Sequence, residues 1–318
     1  MHAAVVHAFG EPPRYENFPD PEPTTGEVLV EVLAAGLHPL VRSRAAGTHY
    51  TSTEALPLIP GVDGVGRTAD GAHVYFGGVH PPHGTMAERI ALPAKAMIPL
   101  PESLDPASVA AIVNPAVSAW LAMHERVSLQ SGEQVLVLGA TGSAGRMAVQ
   151  LARLHGAKTI IAAGRNRAAL EELTHLGADH VICLEDSDDQ VAAALAETAA
   201  DVDVVVDYLW GHPMELALAA ISDARSDDAH RLRWVHVGAM AGATITLQAA
   251  TLRKTNVDIL GSGLGSVPRN AIYAAVRDLV EVLPTAGLSA DIVTVPLADV
   301  EKAWKMQVPS GTRIVLTT

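Results

Sequence analysis

Residues 134–156 read QVLVLGATGSAGRMAVQLARLHG. A short apolar run, QVLVLG, passes directly into a small-residue turn, and the turn into a segment whose apolar residues fall at helical spacing. Gly139, Gly142 and Gly145 set a G-x-x-G-x-x-G pattern at the junction. Small residues there let the chain turn tightly, let a backbone approach a pyrophosphate, and let the helix pack close to its strand. The helix N-terminus offers unbonded N–H groups to the anion. Gly139, Ala140, Thr141, Gly142, Ser143, Ala144 and Gly145 are therefore the expected dinucleotide cradle, the strand and helix around them being the context the motif requires.

Working outward, strand and helix patterns alternate. The expected strands are KTIIAAG, HVICL, DVDVVVDYL, RLRWVHVGA and NVDILGSG, and the expected helices between the first of them include RAALEELTHLG and DQVAAALAETAA. This alternation predicts a parallel sheet covered by helices on both faces. The first third differs: AAVVHAF, EVLVEVLAAG, HVYFGG and AERIALPA are apolar runs punctuated by Pro and Gly, which reads as β-rich. Helical spacing begins with PASVAAIVNPAVSAWLAMHERV, and after residue 285 short strands return in IVTVPL and RIVLTT. The expected fold class is α/β, with a β-rich domain of residues 1–116 and 285–318 and a doubly wound dinucleotide-binding domain of residues 117–284. The acidic stretches EDSDD and SDARSDDAHR fall between elements and read as solvated loops.

The second strand of the α/β region ends in Gly164-Arg165-Asn166-Arg167. A carboxylate at this tip would accept from a ribose 2′-hydroxyl; two guanidinium groups and an amide suit a 2′-phosphate instead, so NADPH is the expected cofactor. The alternative for the arginines is that they only solvate the start of the next helix. Gly238, Met240, Gly261 and Gly263 follow later strands at the edge where such sheets bind ligands, and are expected on the nicotinamide side; Asp207 and Tyr208 share that edge. An ordinary turn is the alternative for each.

The chain has 318 residues, 49% of them apolar, a formal net charge of −13 and one cysteine, Cys183. The charge disfavours nucleic-acid binding. A lone cysteine excludes an intramolecular disulfide and any multi-cysteine zinc site. No uninterrupted apolar run approaches about 18 residues, and MHAAVVHAFGEPPRYE lacks a basic flank before an apolar run, so a cytoplasmic protein without a membrane span is expected.

With these segments in hand, the chain resembles the medium-chain dehydrogenase/reductase superfamily along essentially its full length, and within it the zinc-independent quinone oxidoreductases related to zeta-crystallin. The resemblance is carried by VLAAGLHPLVRSRAAGTHY, LPLIPGVDGVG, NPAVSAW and VLVLGATGSAG with its helix. It implies a GroES-like catalytic domain from both chain ends, a Rossmann cofactor domain between them, and NADPH-dependent reduction of a quinone or α,β-unsaturated carbonyl. A homodimer formed by sheet edges, with NVDIL as the candidate edge, also follows from it. Zinc enzymes of the superfamily carry ligands at positions that here look like His38, Val62-Asp63 and Asn114. Val62 has no donor and Asn114 is a poor replacement for a thiolate, so no metal is expected. His80 and His83, in HPPH, read as a surface loop.

Without a metal, a group must serve the developing negative charge on the substrate oxygen. Tyr50 looks like the tyrosine such reductases present near the nicotinamide; the alternative is an exposed loop tyrosine. His38 is expected to donate to a carbonyl oxygen or act as general acid. Asn114 either orients nicotinamide or substrate, or caps its helix. Two other functions stay open: an enoyl-thioester reductase, and a non-catalytic NADPH-binding sensor or partner protein.

Overall fold

The computed structural model describes residues 1–79 and 81–318. The chain divides into two units, Met1–Asn114 with Ser289–Thr318, and Pro115–Leu288.

The first unit is β-rich. Strands β1 (His2–Val5) and β2 (Arg14–Asn17) pair antiparallel. The larger sheet is built on β3 (Glu27–Leu37), whose 11 residues let it pair with several neighbours. After it come helix α1 (Pro39–Ala45), β4 (Asp63–Arg67), β5 (His73–Gly77), β6 (Arg89–Pro93), β7 (Met97–Pro99) and helix α2 (Pro106–Leu121). Asp105 caps α2, accepting from Ser108 N at 2.8 Å, and Pro106 opens it, where a missing N–H costs nothing. From Pro115 onward α2 belongs to the second unit, where a π-turn over Ala122–Arg126 follows it. The helical stretch Pro106–Arg126 is long and apolar enough to cross a membrane, but most of its apolar part is buried inside the fold, as in a core helix.

The second unit contains six parallel strands: β8 (Gln134–Leu138), β9 (Thr159–Gly164), β10 (His180–Cys183), β11 (Val204–Asp207), β12 (Leu232–His236) and β13 (Val257–Gly261). Their order, β10-β9-β8-β11-β12-β13, places the reversal of direction between β8 and β11. Helices α3 (Ser143–Leu154), α4 (Arg167–His175), α5 (Asp188–Thr198), α6 (Gly211–Ala224), the short α7 (Thr251–Lys254) and α8 (Arg269–Ala286) connect or follow these strands. The central strands have no solvent face: Val135, Leu136, Val137 and Leu138 are each 0% exposed. Each contributes about 1.5–3 kcal/mol of burial, an upper bound for an extended-chain reference. That is why β8 reads as a continuous apolar run rather than an alternating one.

The chain then returns to the first unit with β14 (Ile292–Pro296), α9 (Val300–Lys305) and β15 (Arg313–Thr317). The sheet order there is β14-β15-β3-β4-β5-β7, with β6 on β3. β15 pairs antiparallel with the end of β3, bringing Ile314 opposite Leu37 and next to Arg313. The strand–helix alternation of the second unit and the β-rich text of the first are thus realised as expected. Helices α6 and the 18-residue α8 lie outside the expected helical segments, and α6 takes in Ser222–Ala224, the start of the stretch SDARSDDAHR expected as a solvated loop.

Candidate cofactor and active site

At the end of β8 the turn is made by Gly139, with φ of +85°, a region side chains disfavour. The N–H groups of Gly139 and Ala140 both bond Ala163 O at 2.9 Å, tying the turn to β9. Helix α3 then begins at Ser143 with Gly142 as N-cap, a residue that has no side chain with which to cap it. Gly145 serves packing: a Cβ there would stand 2.2 Å from Gly139 O and 2.6 Å from Ala140 Cα. Gly142 is under no such constraint, since a Cβ would sit 3.5 Å from Gly139 O; its bareness keeps the turn low where an anion would approach. Gly164 lies against this turn, because a Cβ would come within 2.6 Å of Thr141 Cγ2. The cradle has the features a pyrophosphate needs: a positive-φ turn, a helix held tightly behind it, and a glycine at the helix N-cap.

The three residues after Gly164 are used differently. Asn166 Oδ1 accepts from Ala169 N at 3.1 Å and so caps α4. Arg167 is ion-paired with Asp186. Arg165 is exposed, and its guanidinium has no partner among the described residues. Of the expected phosphate-binding group, the structure leaves Arg165 available and gives the other two local tasks.

At the tips of β11 and β12 the expected residues also divide. Asp207 is fully buried; its Oδ1 accepts from Leu209 N and Trp210 N at 2.8 and 3.0 Å, and Oδ2 from Trp234 Nε1 at 3.1 Å. Burial raises its pKa and these bonds oppose the rise. Its carboxylate therefore anchors the turn instead of facing a ligand. Gly238 packs close to Tyr208, where a Cβ would lie 3.0 Å from Tyr208 O, and Met240 is 74% exposed. Gly261 has open space around its Cβ position and gives its carbonyl to Arg126 Nε at 2.7 Å, while Gly263 N donates to Ser266 Oγ. A cavity of about 300 Å³ lined by Gln134, Lys158, Asp201 and Asp203 lies at the opposite, N-terminal ends of the strands.

The first unit holds the remaining candidates. His38 is 4% exposed, and its Nε2 lies 3.1 Å from Asp63 Oδ1. Tyr75 donates its hydroxyl to Asp63 Oδ2 at 2.8 Å, and Thr85 Oγ1 donates to Asp63 O. Burial lowers the His38 pKa, Asp63 partly offsets this, and Arg313 and Arg44 add to the lowering. A neutral imidazole with Nε2–H on the carboxylate has only an acceptor at Nδ1, so donation to a substrate carbonyl requires the imidazolium form. Asp63 and Tyr75, partners from neighbouring strands, are not legible as a network in the sequence. Tyr50 is 75% exposed and lies against His49 with ring centroids 4.2 Å apart. Asn114 sits inside α2, eight residues beyond its start and directly before Pro115, so it does not cap the helix. His38 and Asp63 are in contact, but among the described residues no three His, Cys, Asp or Glu side chains converge as a metal site. With Val62 apolar, this donor set does not fit a catalytic zinc. His83 has a buried Nδ1 and an edge-on contact with Phe18; His80 lies outside the described residues.

Residues 144–281 match the family model described as zinc-binding dehydrogenase, a stretch that begins in α3 and does not include His38, Asp63 or Asn114. A probable NADPH-dependent quinone reductase of Emericella nidulans is 30% identical, the match covering 99% of each chain. A mitochondrial enoyl-[acyl-carrier-protein] reductase of Caenorhabditis elegans is 31% identical over 58% of this chain and 57% of that one. Among solved structures, the quinone oxidoreductase of Thermus thermophilus, described also in complex with NADPH, superposes with a TM-score of 0.81 at 28% identity, covering 100% of both chains. The full-length match and the architecture agree, and the chain belongs to the medium-chain dehydrogenase/reductase superfamily, in its quinone-oxidoreductase branch.

Proposed function

We propose that this protein is an oxidoreductase that uses NADPH to reduce a quinone or an α,β-unsaturated carbonyl, without a metal. The observation that carries the cofactor reading is the cradle itself: Gly139 at φ +85°, α3 packed on it through Gly145, a glycine at the helix N-cap, and Arg165 exposed at the tip of β9 with no guanidinium partner among the described residues. Support for the substrate class comes from the relative of Emericella nidulans, named a probable NADPH-dependent quinone reductase and matched over nearly the whole chain. The enoyl-thioester reading is carried by a match over little more than half the chain, and the net charge of −13 does not favour a phosphate-bearing carrier.

When bound, NADPH supplies the hydride. The first-turn amides of α3 hold the pyrophosphate, and Arg165 holds the 2′-phosphate and so selects against NADH. The phenol of Tyr50 serves the oxygen that gains charge; His38 would serve it as the imidazolium, a form that burial and the nearby Arg313 and Arg44 disfavour and Asp63 only partly restores. Asn114 offers an amide to substrate or nicotinamide. We further propose a cytoplasmic homodimer paired through β13, one of the two edge strands of its sheet.

The test is purified, chelator-treated protein given NADPH and a simple quinone. Oxidation of NADPH without added metal supports the proposal. Tight binding without oxidation moves the non-catalytic sensor ahead of it, and activity restored only by zinc overturns the metal-free mechanism.

A further inference from the structure

The sheet order places β8 between β9 on one side and β11, then β12, on the other. A dinucleotide with its pyrophosphate on α3 and its adenosine at the tip of β9 extends its other half over the tips of β11 and β12. Two residues there are only partly buried: Trp210, one part of whose ring packs on the apolar core of the second unit, and His236. Trp210 has φ of 56° and ψ of −164°, a combination essentially reserved for glycine. The surroundings impose it. Asp207 grips Leu209 N and Trp210 N. The turn is also laced to the loop after β12 by Met240 N on Tyr208 O at 3.2 Å and Ala241 N on Leu209 O at 2.8 Å. Gly211 is pinched against Ala241, where a Cβ would lie 3.1 Å from the Ala241 carbonyl.

What this enforced conformation achieves is to bring the Trp210 indole against the imidazole of His236, with centroids 4.4 Å apart and planes at 44°. His236 stands beside Asp207 in strand register. Burial lowers its pKa although Asp207 opposes the change, and its buried Nδ1 has no hydrogen-bond partner among the described residues. An unfavourable backbone maintained by several independent contacts, at a ligand-binding edge, points to a function for the side chain it presents.

We propose that Trp210, braced by His236, is the aromatic rest for the nicotinamide ring and favours its oxidised, cationic form. This rests on the NADPH-dependent reading above. An indole face attracts a cation more than a neutral ring, so the residue holds NADP⁺ more tightly than its absence would allow.

The test titrates NADP⁺, which does not absorb tryptophan emission, into wild type, Trp210→Phe and Trp210→Leu, with Trp120→Phe and Trp304→Phe as controls. Calorimetry measures NADP⁺ and NADPH affinities in parallel. Trp210→Phe is expected to abolish most of the NADP⁺-dependent quenching while both controls keep it. Trp210→Leu is expected to weaken NADP⁺ about 3- to 10-fold more than NADPH, as a partly desolvated cation–π contact implies. Should the leucine variant not fold, Trp210→Gly, which accepts the same φ, replaces it. Quenching intact in Trp210→Phe, or equal weakening of both forms, overturns this inference while leaving the cofactor assignment standing; wild type that binds neither form overturns both.

Discussion

Gly145→Ala tests the cradle most sharply. The added Cβ would stand 2.2 Å from Gly139 O, 2.6 Å from Ala140 Cα and 2.8 Å from Gly139 C, all backbone atoms that no rotamer change can move. Restoring ordinary contact requires α3 to retreat by about 1 Å from the turn, and overpacking of this kind costs about 1–3 kcal/mol. In a chain of this size that lowers Tm by about 2–4 °C per kcal/mol. The same retreat withdraws the helix amides from the pyrophosphate, and we expect NADPH to bind at least about tenfold more weakly, or about 1.4 kcal/mol. Gly142→Ala is the paired control: its Cβ would meet Gly139 O at 3.5 Å, so Tm should hold while NADPH affinity falls. Scanning calorimetry and isothermal titration read both quantities. A Gly145→Ala protein with wild-type Tm and wild-type affinity would refute the reasoning.

Arg165→Ala should weaken NADPH about 10-fold or more, within the roughly 1.5–3 kcal/mol of a charge-assisted bond, and leave NADH unchanged; parallel titrations decide it. Asp63→Asn replaces one of the two oxygens that accept from His38 and Tyr75 with an amide donor and should cost about 1–3 kcal/mol in denaturant unfolding, whereas Glu31→Gln at the exposed Arg67 pair should cost under about 1 kcal/mol. His155, whose Nε2 lies 2.8 Å from His124 Nε2, has its pKa lowered to about 4 by burial and by His124. The folded state therefore resists protonation, and its stabilising contribution is full above about pH 6.5 and lost as pH falls toward 4. Discounting for solvent screening of a partly exposed ring leaves on the order of 1–2 kcal/mol, a slope that His155→Gln should flatten in pH-dependent melts.

The cradle is legible in the sequence because its determinants are local: an apolar strand, three glycines and an amphipathic helix within about two dozen residues. The position of Arg165 directly after the end of β9 is legible for the same reason. The cap role of Asn166 can be read from its place before a helical run, as can the α2 start from Asp105-Pro106, which already puts Asn114 inside the helix. The His38–Asp63–Tyr75 network cannot, because it depends on β4–β5 pairing and on a chain reversal that no local pattern records. Trp210 escapes for the opposite reason. Its local preference argues against the positive φ it adopts, and tertiary contacts from Asp207 and the β12 loop override that preference.

The central claim is metal-independent, NADPH-linked quinone reduction. The measurement that meets it most directly is the rate of NADPH and NADH oxidation by the chelator-treated protein in the presence of a simple quinone. Turnover with NADPH well above that with NADH, unchanged by added zinc, is the predicted result; turnover with NADH alone, or only after zinc is supplied, would contradict it.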